Sequence, residues 1–287
     1  MTPRDTMPRP QAAAGTSHFV EANGVRLHCL DYGSAGRRPM LCLHGGAAHA
    51  HWYDYVAPGF IPDHRVLSLD LRGHGDSAWA GQHTYSFQTF AADLNALVEK
   101  LELRDFVLVG HSMGGMISLL YSAMYPGRAA RLVIVDTIML MPMERVARMR
   151  EFGERPAKGY ATREELIRRY RLEAVKKHLT APEVVQRMAA CSARQDADGL
   201  WRHKADRRVY ANFSQLAGIP LWDRVRIPAL AMRSEGSTRF APEAMAEIHA
   251  RAPQVQVAEV PASDHHIMLD NPQGFVGVVR RFLEHDG

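Results

Sequence analysis

Val107-Leu108-Val109-Gly110-His111-Ser112-Met113-Gly114-Gly115 is the stretch that decides how this chain is read. An apolar, β-branched lead-in enters the glycines, and Met116, Ile117, Leu119 and Leu120 follow them. The pattern reads as strand, sharp turn and helix. Gly110 and Gly114 flank Ser112 at one residue's distance because the turn is too tight for side chains beside the serine. Such a turn lifts the hydroxyl above the strand ends, where a substrate can reach it. The five-residue pattern alone is a weak signal, and its strand-to-helix context is what makes it strong.

Outward from that turn, short apolar runs alternate with amphipathic ones. Residues 18–23 and 25–31 read as a hairpin turning at Asn23-Gly24. Further strands are expected at 40–43, 65–69, 106–109, 131–135, 227–232 and 255–260. Helices are expected at 86–101, with Ser86 placed to cap it, at 242–252 and at 272–284. From about Ile138 to Trp222 the pattern turns helical, charged and free of strand-like runs. This alternation argues a mostly parallel sheet covered on both faces. The expected organisation is a mobile N-terminal tail over 1–17, a core over 18–137 and 223–287, and a helical cap over 138–222.

Composition narrows the function classes. The chain has 287 residues, 46% of them hydrophobic, which suits one large α/β domain with an insertion. No apolar run approaches the roughly 20 residues of a membrane span, and the proline-bearing first 17 residues lack a signal-peptide core. Three cysteines, an odd number without C-x-x-C spacing, read as reduced thiols in a cytoplasmic protein. The net charge of +4 is uneven. Residues 144–208 carry 17 Lys and Arg against 10 Asp and Glu, leaving −3 for the rest. Most such runs (Arg168-Arg169, Lys176-Lys177, Arg207-Arg208) are solvated helix faces, and the sharper reading is a potential that favours anionic substrates. The basic residues are not interleaved with an aromatic platform, which argues against nucleic acid.

A serine hydroxyl is a weak nucleophile until a base takes its proton. The base is sought after the last strand, in Ala262-Ser263-Asp264-His265-His266, where His265 precedes Leu269 and Pro272 at the start of the last helix; His266 is its adjacent rival. With His44-Gly45-Gly46, the segment Asp70-Leu71-Arg72-Gly73-His74-Gly75-Asp76-Ser77, Gly110–Gly115 and the His265 segment on the page, the chain resembles the cap-bearing serine hydrolases of the α/β-hydrolase superfamily. The resemblance spans nearly everything after the N-terminal tail. It implies a mostly parallel eight-stranded sheet with helices on both faces and the cap inserted after the sixth strand. It also implies an oxyanion hole of two backbone amides. One is that of Met113, and the other is that of Gly46, with Ala47 as an alternative. His44 is expected to brace that loop.

The triad acid departs from the common pattern. In most relatives an Asp follows the strand that here ends at Met232, and Thr238 stands in its place. Threonine cannot hold a negative charge opposite an imidazolium. Asp136, 24 positions after Ser112 at the end of the sixth strand, is the leading replacement, as in some superfamily members; Glu235 is the alternative, and a site without an acid is the third. Trp52 and Tyr53 are read as packing residues. Met139, Leu140, Met141 and Met143 are read as a wall of the cap or as core. No His and carboxylate cluster has metal spacing, and no dinucleotide fingerprint follows a strand, so neither metal nor cofactor is expected. The reading is a serine hydrolase of small carboxylic esters or lactones, acting as a monomer or homodimer without nucleic-acid or membrane partners. Amide or carbon–carbon bond hydrolysis on the same triad, a cofactor-independent dioxygenase and a non-catalytic ligand-binding protein are its rivals.

Overall fold

In the computed structural model, which describes residues 11–33, 35–172, 175–177, 179–237 and 239–284, the apolar runs become strands of one sheet. In chain order these are β1 (Thr16–Ala22), β2 (Val25–Asp31), β3 (Arg38–Leu43), β4 (His64–Asp70), β5 (Phe106–His111) and β6 (Ala129–Val135). After an insertion carrying a two-stranded ribbon, β7 (Ala193–Gln195) and β8 (Trp201–His203), come β9 (Ala229–Ser234) and β10 (Val255–Val260). The eight-stranded sheet runs β1-β2-β4-β3-β5-β6-β9-β10. Antiparallel pairing is confined to β1–β2 and β2–β4, and all other neighbours are parallel.

Strand residues divide between two cores with period two. Leu41, Leu43, Leu108, Leu132, Ile134, Ala229 and Ala231 face one apolar layer. Met40, Cys42, Val107, Val109, Val133, Val135, Leu230 and Met232 face the other. Both faces being buried explains why these strands are continuously apolar instead of alternating. Helices α1 (Phe87–Lys100) and α2 (Met113–Met124) cover the first face. Ser86 caps α1 by accepting from the Thr89 amide at 3.1 Å. The helix α9 (Pro272–Glu284) covers the second face through Phe275, Val279 and Phe282.

The insertion between β6 and β9 carries α3 (Met143–Glu154), α4 (Arg163–Arg169), α5 (Pro182–Cys191) and α6 (Arg208–Ala211). Two expectations need correction here. The insertion is not free of strands: Asp198-Gly199, with Gly199 at φ +79°, turns the β7–β8 ribbon, a signal hidden by the ribbon's three-residue strands. The N-terminal tail does not extend to Ser17. The strand β1 begins at Thr16, the Ala13 amide donates to Asp54, and the Ser17 hydroxyl bonds the His28 ring at 2.9 Å. The cysteines are free, with Cys29 and Cys42 buried.

Strand order reverses between β3 and β5, since the chain passes from β3 to β4 on one side and returns through α1 to β5 on the other. In open α/β sheets the crevice beyond the carboxyl ends at such a point is where ligands bind. The loops leaving β3 (His44–Ala47) and β5 (Ser112) meet there. The remaining helices, α7 (Pro242–Arg251) and α8 (Ile267–Asp270), flank the end of the sheet.

Candidate active site

The turn after β5 is as tight as its glycines require. Ser112 lies at φ +53°, ψ −113°, a region costly for a residue with a Cβ. A Cβ on Gly114 would stand 2.5 Å from the His44 carbonyl oxygen, and one on Gly110 would stand 2.4 Å from that of Gly114. The strain is held by bonds on both sides of the residue: the Ser112 amide donates to Val135 O at 2.9 Å, and its carbonyl accepts from the Met116 amide at 3.1 Å and the Thr137 hydroxyl at 3.2 Å. The first of these ties the serine to the end of β6, one residue before Asp136.

Asp136 is fully buried, also at positive φ (+42°), and its amide donates to Met232 O at 2.8 Å. Its two oxygens are divided. Oδ2 meets His265 Nδ1 at 2.8 Å, and Oδ1 accepts from the Ser234 amide at 3.3 Å. His265 Nε2 faces Ser112 Oγ at 3.2 Å. Serine, imidazole and carboxylate thus stand in one line, assembled from the ends of β5, β6 and the loop after β10. Because Asp136 accepts at Nδ1, the lone pair of His265 is on Nε2, toward the serine. Burial above all, then the neighbouring His266, Arg239 and Arg145, holds His265 well below the ordinary imidazole range. The ring is neutral at pH 7, as a base must be.

The alternatives lie elsewhere. Glu235 is exposed, and its carboxylate accepts from the Ala262 amide at 3.0 Å. Thr238 lies outside the described residues. His266 packs edge-on against Trp52, with ring centroids 4.6 Å apart, while His265 takes the serine. Trp52 and Tyr53 are buried, and the Tyr53 hydroxyl donates to Leu43 O at 2.9 Å, so both pack the site's floor. Met139 is core and contacts the Trp222 indole N–H, whereas Leu140 and Met143 point outward.

The loop after β3 lies against the turn: a Cβ on Gly45 would sit 3.2 Å from Ser112 Cβ. His44 Nδ1 donates to Gly45 O at 2.7 Å, so Nε2 is free to accept from the Leu71 amide at 3.2 Å. Burial, and then His74, pushes this ring down to about 3, so it is a neutral brace and not a proton carrier. Next to it, Gly46 and Ala47 are open to solvent, and Ala47 adopts φ +57°. The Met113 amide precedes the first intrahelical bond of α2, from Met116 to Ser112, and is one of the helix's free N-terminal donors.

The Asp70–Ser77 segment braces the same crevice from below. Asp70 accepts from Ala50 N at 2.6 Å, His28 Nδ1 at 2.7 Å and Asp76 N at 2.9 Å. Arg72 makes a buried, bidentate pair with Asp93 of α1. Among the described residues two groups bring three ligand atoms within 4.8 Å of one another, His111 with His265 and His266, and His28 with Asp70 and Asp76. His265, His28 and Asp70 already spend ligand atoms on the bonds above, and His111 Nε2 bonds His265 O at 2.8 Å.

Three neighbours escaped the sequence reading. The Tyr210 hydroxyl of α6 stands over Gly46, 2.6 Å from where its Cβ would be. Arg239 places Nη1 3.9 Å from Asp136 Oδ2, and half-buried Arg145, at the start of α3, stands near enough to bias both His265 and Arg239. None has a periodic or motif signal, since each reaches the site by chain crossing.

A family model of the alpha/beta hydrolase fold matches residues 38–272. The chain belongs to the α/β-hydrolase family. It is 30% identical over 278 residues to the esterase Rv0045c of Mycobacterium tuberculosis, covering 92% of this chain and 88% of that one. It is 27% identical over 274 residues to N-formylmaleamate deformylase of Pseudomonas putida, covering 93% and 96%. The crystal structure of E-2-(acetamidomethylene)succinate hydrolase superposes with a TM-score of 0.81 at 21% identity, covering 94% of this chain and all of that one, which establishes likeness of fold. Among the described residues no helix is long and apolar enough to cross a membrane.

Proposed function

We propose that this α/β-hydrolase cleaves a small carboxylic ester or lactone through an acyl-enzyme on Ser112. The observation that carries the reading is the aligned triad, with His265 3.2 Å from the serine oxygen and 2.8 Å from Asp136. His265 Nε2 takes the hydroxyl proton as Ser112 Oγ bonds the carbonyl carbon. Asp136 fixes the tautomer and steadies the imidazolium. The Gly46 and Met113 amides receive the negative charge on the former carbonyl oxygen, each such donor being worth about 3–4 kcal/mol. His265 then hands its proton to the departing alkoxide as the carbon–oxygen bond breaks. Water repeats the sequence on the acyl-serine, releasing the acid and restoring the hydroxyl. In a lactone the leaving oxygen stays tethered.

Residues 138–222 act in this reading as a cap. Its fastening supports that role: Asp264, beside His265, accepts from the Lys176 and Lys177 amides, and His49, just after the Gly46 loop, bonds Met188 O of α5 at 3.0 Å. The protein is read as a cytoplasmic enzyme acting on a small molecule. The named esterase among its relatives supports ester chemistry, and the deformylase supports amide cleavage on the same triad as the second reading. The test is labelling with a fluorophosphonate followed by peptide mass mapping. The reading requires the adduct on Ser112, its loss in Ser112→Ala, and turnover of small 4-nitrophenyl esters; an unlabelled Ser112 with no ester turnover overturns it.

A further inference from the structure

We infer that His111, the residue directly before Ser112, is a positioning residue: one imidazole ring ties the loop of the base, the nucleophile's turn and the oxyanion loop together. This deepens the hydrolase reading and rests on it for the roles of Ser112 and His265. The G-x-S-x-G pattern leaves this position open, because the turn needs small residues at its flanks and asks nothing of the side chain between Gly110 and Ser112. What stands at 111 therefore answers to its surroundings. His111 is the last residue of β5, is only 1% exposed, and three neighbouring segments meet on its ring.

The first segment carries His265, which lies between β10 and α8 and outside both. A buried carbonyl there needs a donor, and His111 Nε2–H supplies it to His265 O at 2.8 Å. On the other side of the same residue, the His265 amide donates to Asp264 Oδ1 at 2.8 Å. The base is thus gripped at both backbone groups as well as at its ring. The second segment is the oxyanion loop. Gly45 is not at positive φ, yet a Cβ on it would stand 2.9 Å from His111 Nδ1 and 3.2 Å from Ser112 Cβ. The imidazole and the serine, and not a backbone angle, demand glycine at 45, so this loop rests directly on the ring. The third segment holds Trp52, whose indole stacks on His111 with 6.0 Å between centroids and 24° between planes. That contact sets the plane in which the Nε2–H points. A carbonyl only accepts, so the proton is on Nε2 and the lone pair of Nδ1 faces Gly45. Burial above all, then His265 and His266, holds the ring well below the ordinary imidazole range, and it stays a neutral donor at pH 7. What the arrangement protects is the 3.2 Å reach from His265 Nε2 to Ser112 Oγ, because a misplacement of about 1 Å can cost about a hundredfold in rate.

The test compares His111→Gln with His111→Met. The two side chains have nearly the same length and both lose the ring, but only glutamine keeps an N–H for the His265 carbonyl. His111→Met is expected to lose about 10- to 100-fold in kcat for 4-nitrophenyl butyrate with KM within about threefold of wild type, and to slow fluorophosphonate labelling of Ser112 in parallel. His111→Gln should exceed His111→Met in kcat by at least about fivefold at a similar melting temperature, whereas a role in packing alone would lower both alike. In the wild-type protein, long-range ¹H–¹⁵N correlation should find His111 as the neutral Nε2–H tautomer at pH 7. Equal kcat in the two variants, a His111→Met enzyme within about threefold of wild type, or an Nδ1–H tautomer overturns the inference. If neither variant folds, the wild-type tautomer decides. Wild-type turnover with Ser112 labelling would in the overturning cases leave the hydrolase reading standing. A wild-type protein that neither labels nor turns over ester, with the Nε2–H tautomer in place, would remove the hydrolase reading and leave His111 as the group that positions the His265 loop.

Discussion

Asp136→Asn is the substitution on which the triad assignment depends most. Aspartate and asparagine have nearly the same shape, and the site is fully buried, so the backbone should not move. The chemistry changes because the amide has one acceptor and one donor end. The Ser234 N–H, 3.3 Å from Oδ1, must face the carbonyl oxygen. The NH2 then replaces Oδ2, 2.8 Å from His265 Nδ1. Two N–H groups cannot face each other, so the imidazole moves its proton to Nε2 and presents a donor to Ser112. The base is then in the wrong tautomer. In a serine protease the equivalent change lowers kcat by about 10⁴, or about 5 kcal/mol at 1.36 kcal/mol per factor of ten. A fall of at least about 10³ in kcat/KM for a 4-nitrophenyl ester is expected here, with a parallel fall in the rate of fluorophosphonate labelling and an unchanged circular dichroism spectrum. Glu235→Gln should stay within about threefold of wild type, because its carboxylate is exposed and accepts from the Ala262 amide, away from His265. An Asp136→Asn enzyme with more than a tenth of wild-type activity, or a Glu235→Gln enzyme that loses a hundredfold, would refute the reasoning.

Four other outcomes follow from the same geometry. His265 sits below 6.5, so kcat/KM should hold below pH 6.5 and fall only as pH drops through its depressed value; Arg239→Gln removes a nearby cation, and the acid limb should move to higher pH in a pH–rate profile. His44, held at about 3 when folded against 6.5 when free, leaves the unfolded chain to bind the proton first; its share of stability is complete above pH 6.5 and declines toward pH 3, by about 3 kcal/mol at pH 4, in urea titrations across that range. Gly114→Ala drives a Cβ to 2.5 Å of His44 O and 2.6 Å of Leu43 O, both backbone atoms; about 1–3 kcal/mol of stability and most of the activity should be lost, whereas Gly81→Ala, with nothing within 4 Å, should be neutral in a thermal melt. Asp93→Ala strands the buried Arg72 guanidinium, and about 3–5 kcal/mol of stability should disappear from the unfolding curve.

What could be read from the chain was whatever has a period or a fixed spacing. The two-residue alternation inside β3, β5, β6 and β9 is a consequence of burial on both faces, and it shows in the sequence as unbroken apolar runs. The glycines around Ser112 announce the strained turn because no other residue fits: backbone oxygens occupy the space their Cβ atoms would need. The Asn23-Gly24 turn, at φ +50° and +71°, is legible for the same reason. The β7–β8 ribbon was missed because three residues are too few to show alternation. Tyr210 and Arg145 were missed because their positions depend on where the insertion crosses the crevice, and Arg239 because its position depends on how the loop after β9 turns; no local rule encodes either. Arg239 even follows Thr238, the position inspected for a carboxylate. Looking there for an anion left the adjacent cation unread.

The adjacency of β6 and β9 explains how the proposed triad carboxylate can stand at the end of β6 and still be supported by the loop after β9. The two strands are hydrogen-bonded neighbours, paired from Leu132↔Ala229 to Val135↔Met232. The Asp136 amide donates to Met232 O, and the Ser234 amide returns a bond to the Asp136 carboxylate. The loop after β9 therefore still serves the acid, by steadying it, although it does not supply it. What His265 requires is an acceptor near 2.8 Å from Nδ1, and the end of β6 delivers one to that point. Placing the acid on β6 adds one constraint that the other arrangement lacks. Ser112 N bonds Val135 O, so the proposed nucleophile and acid are held by a single backbone hydrogen bond across the ends of β5 and β6. Their separation is then fixed by sheet register, and only His265 must be brought in from elsewhere. In that reading the loop after β9, which carries Arg239 close to Asp136, is free of triad duty.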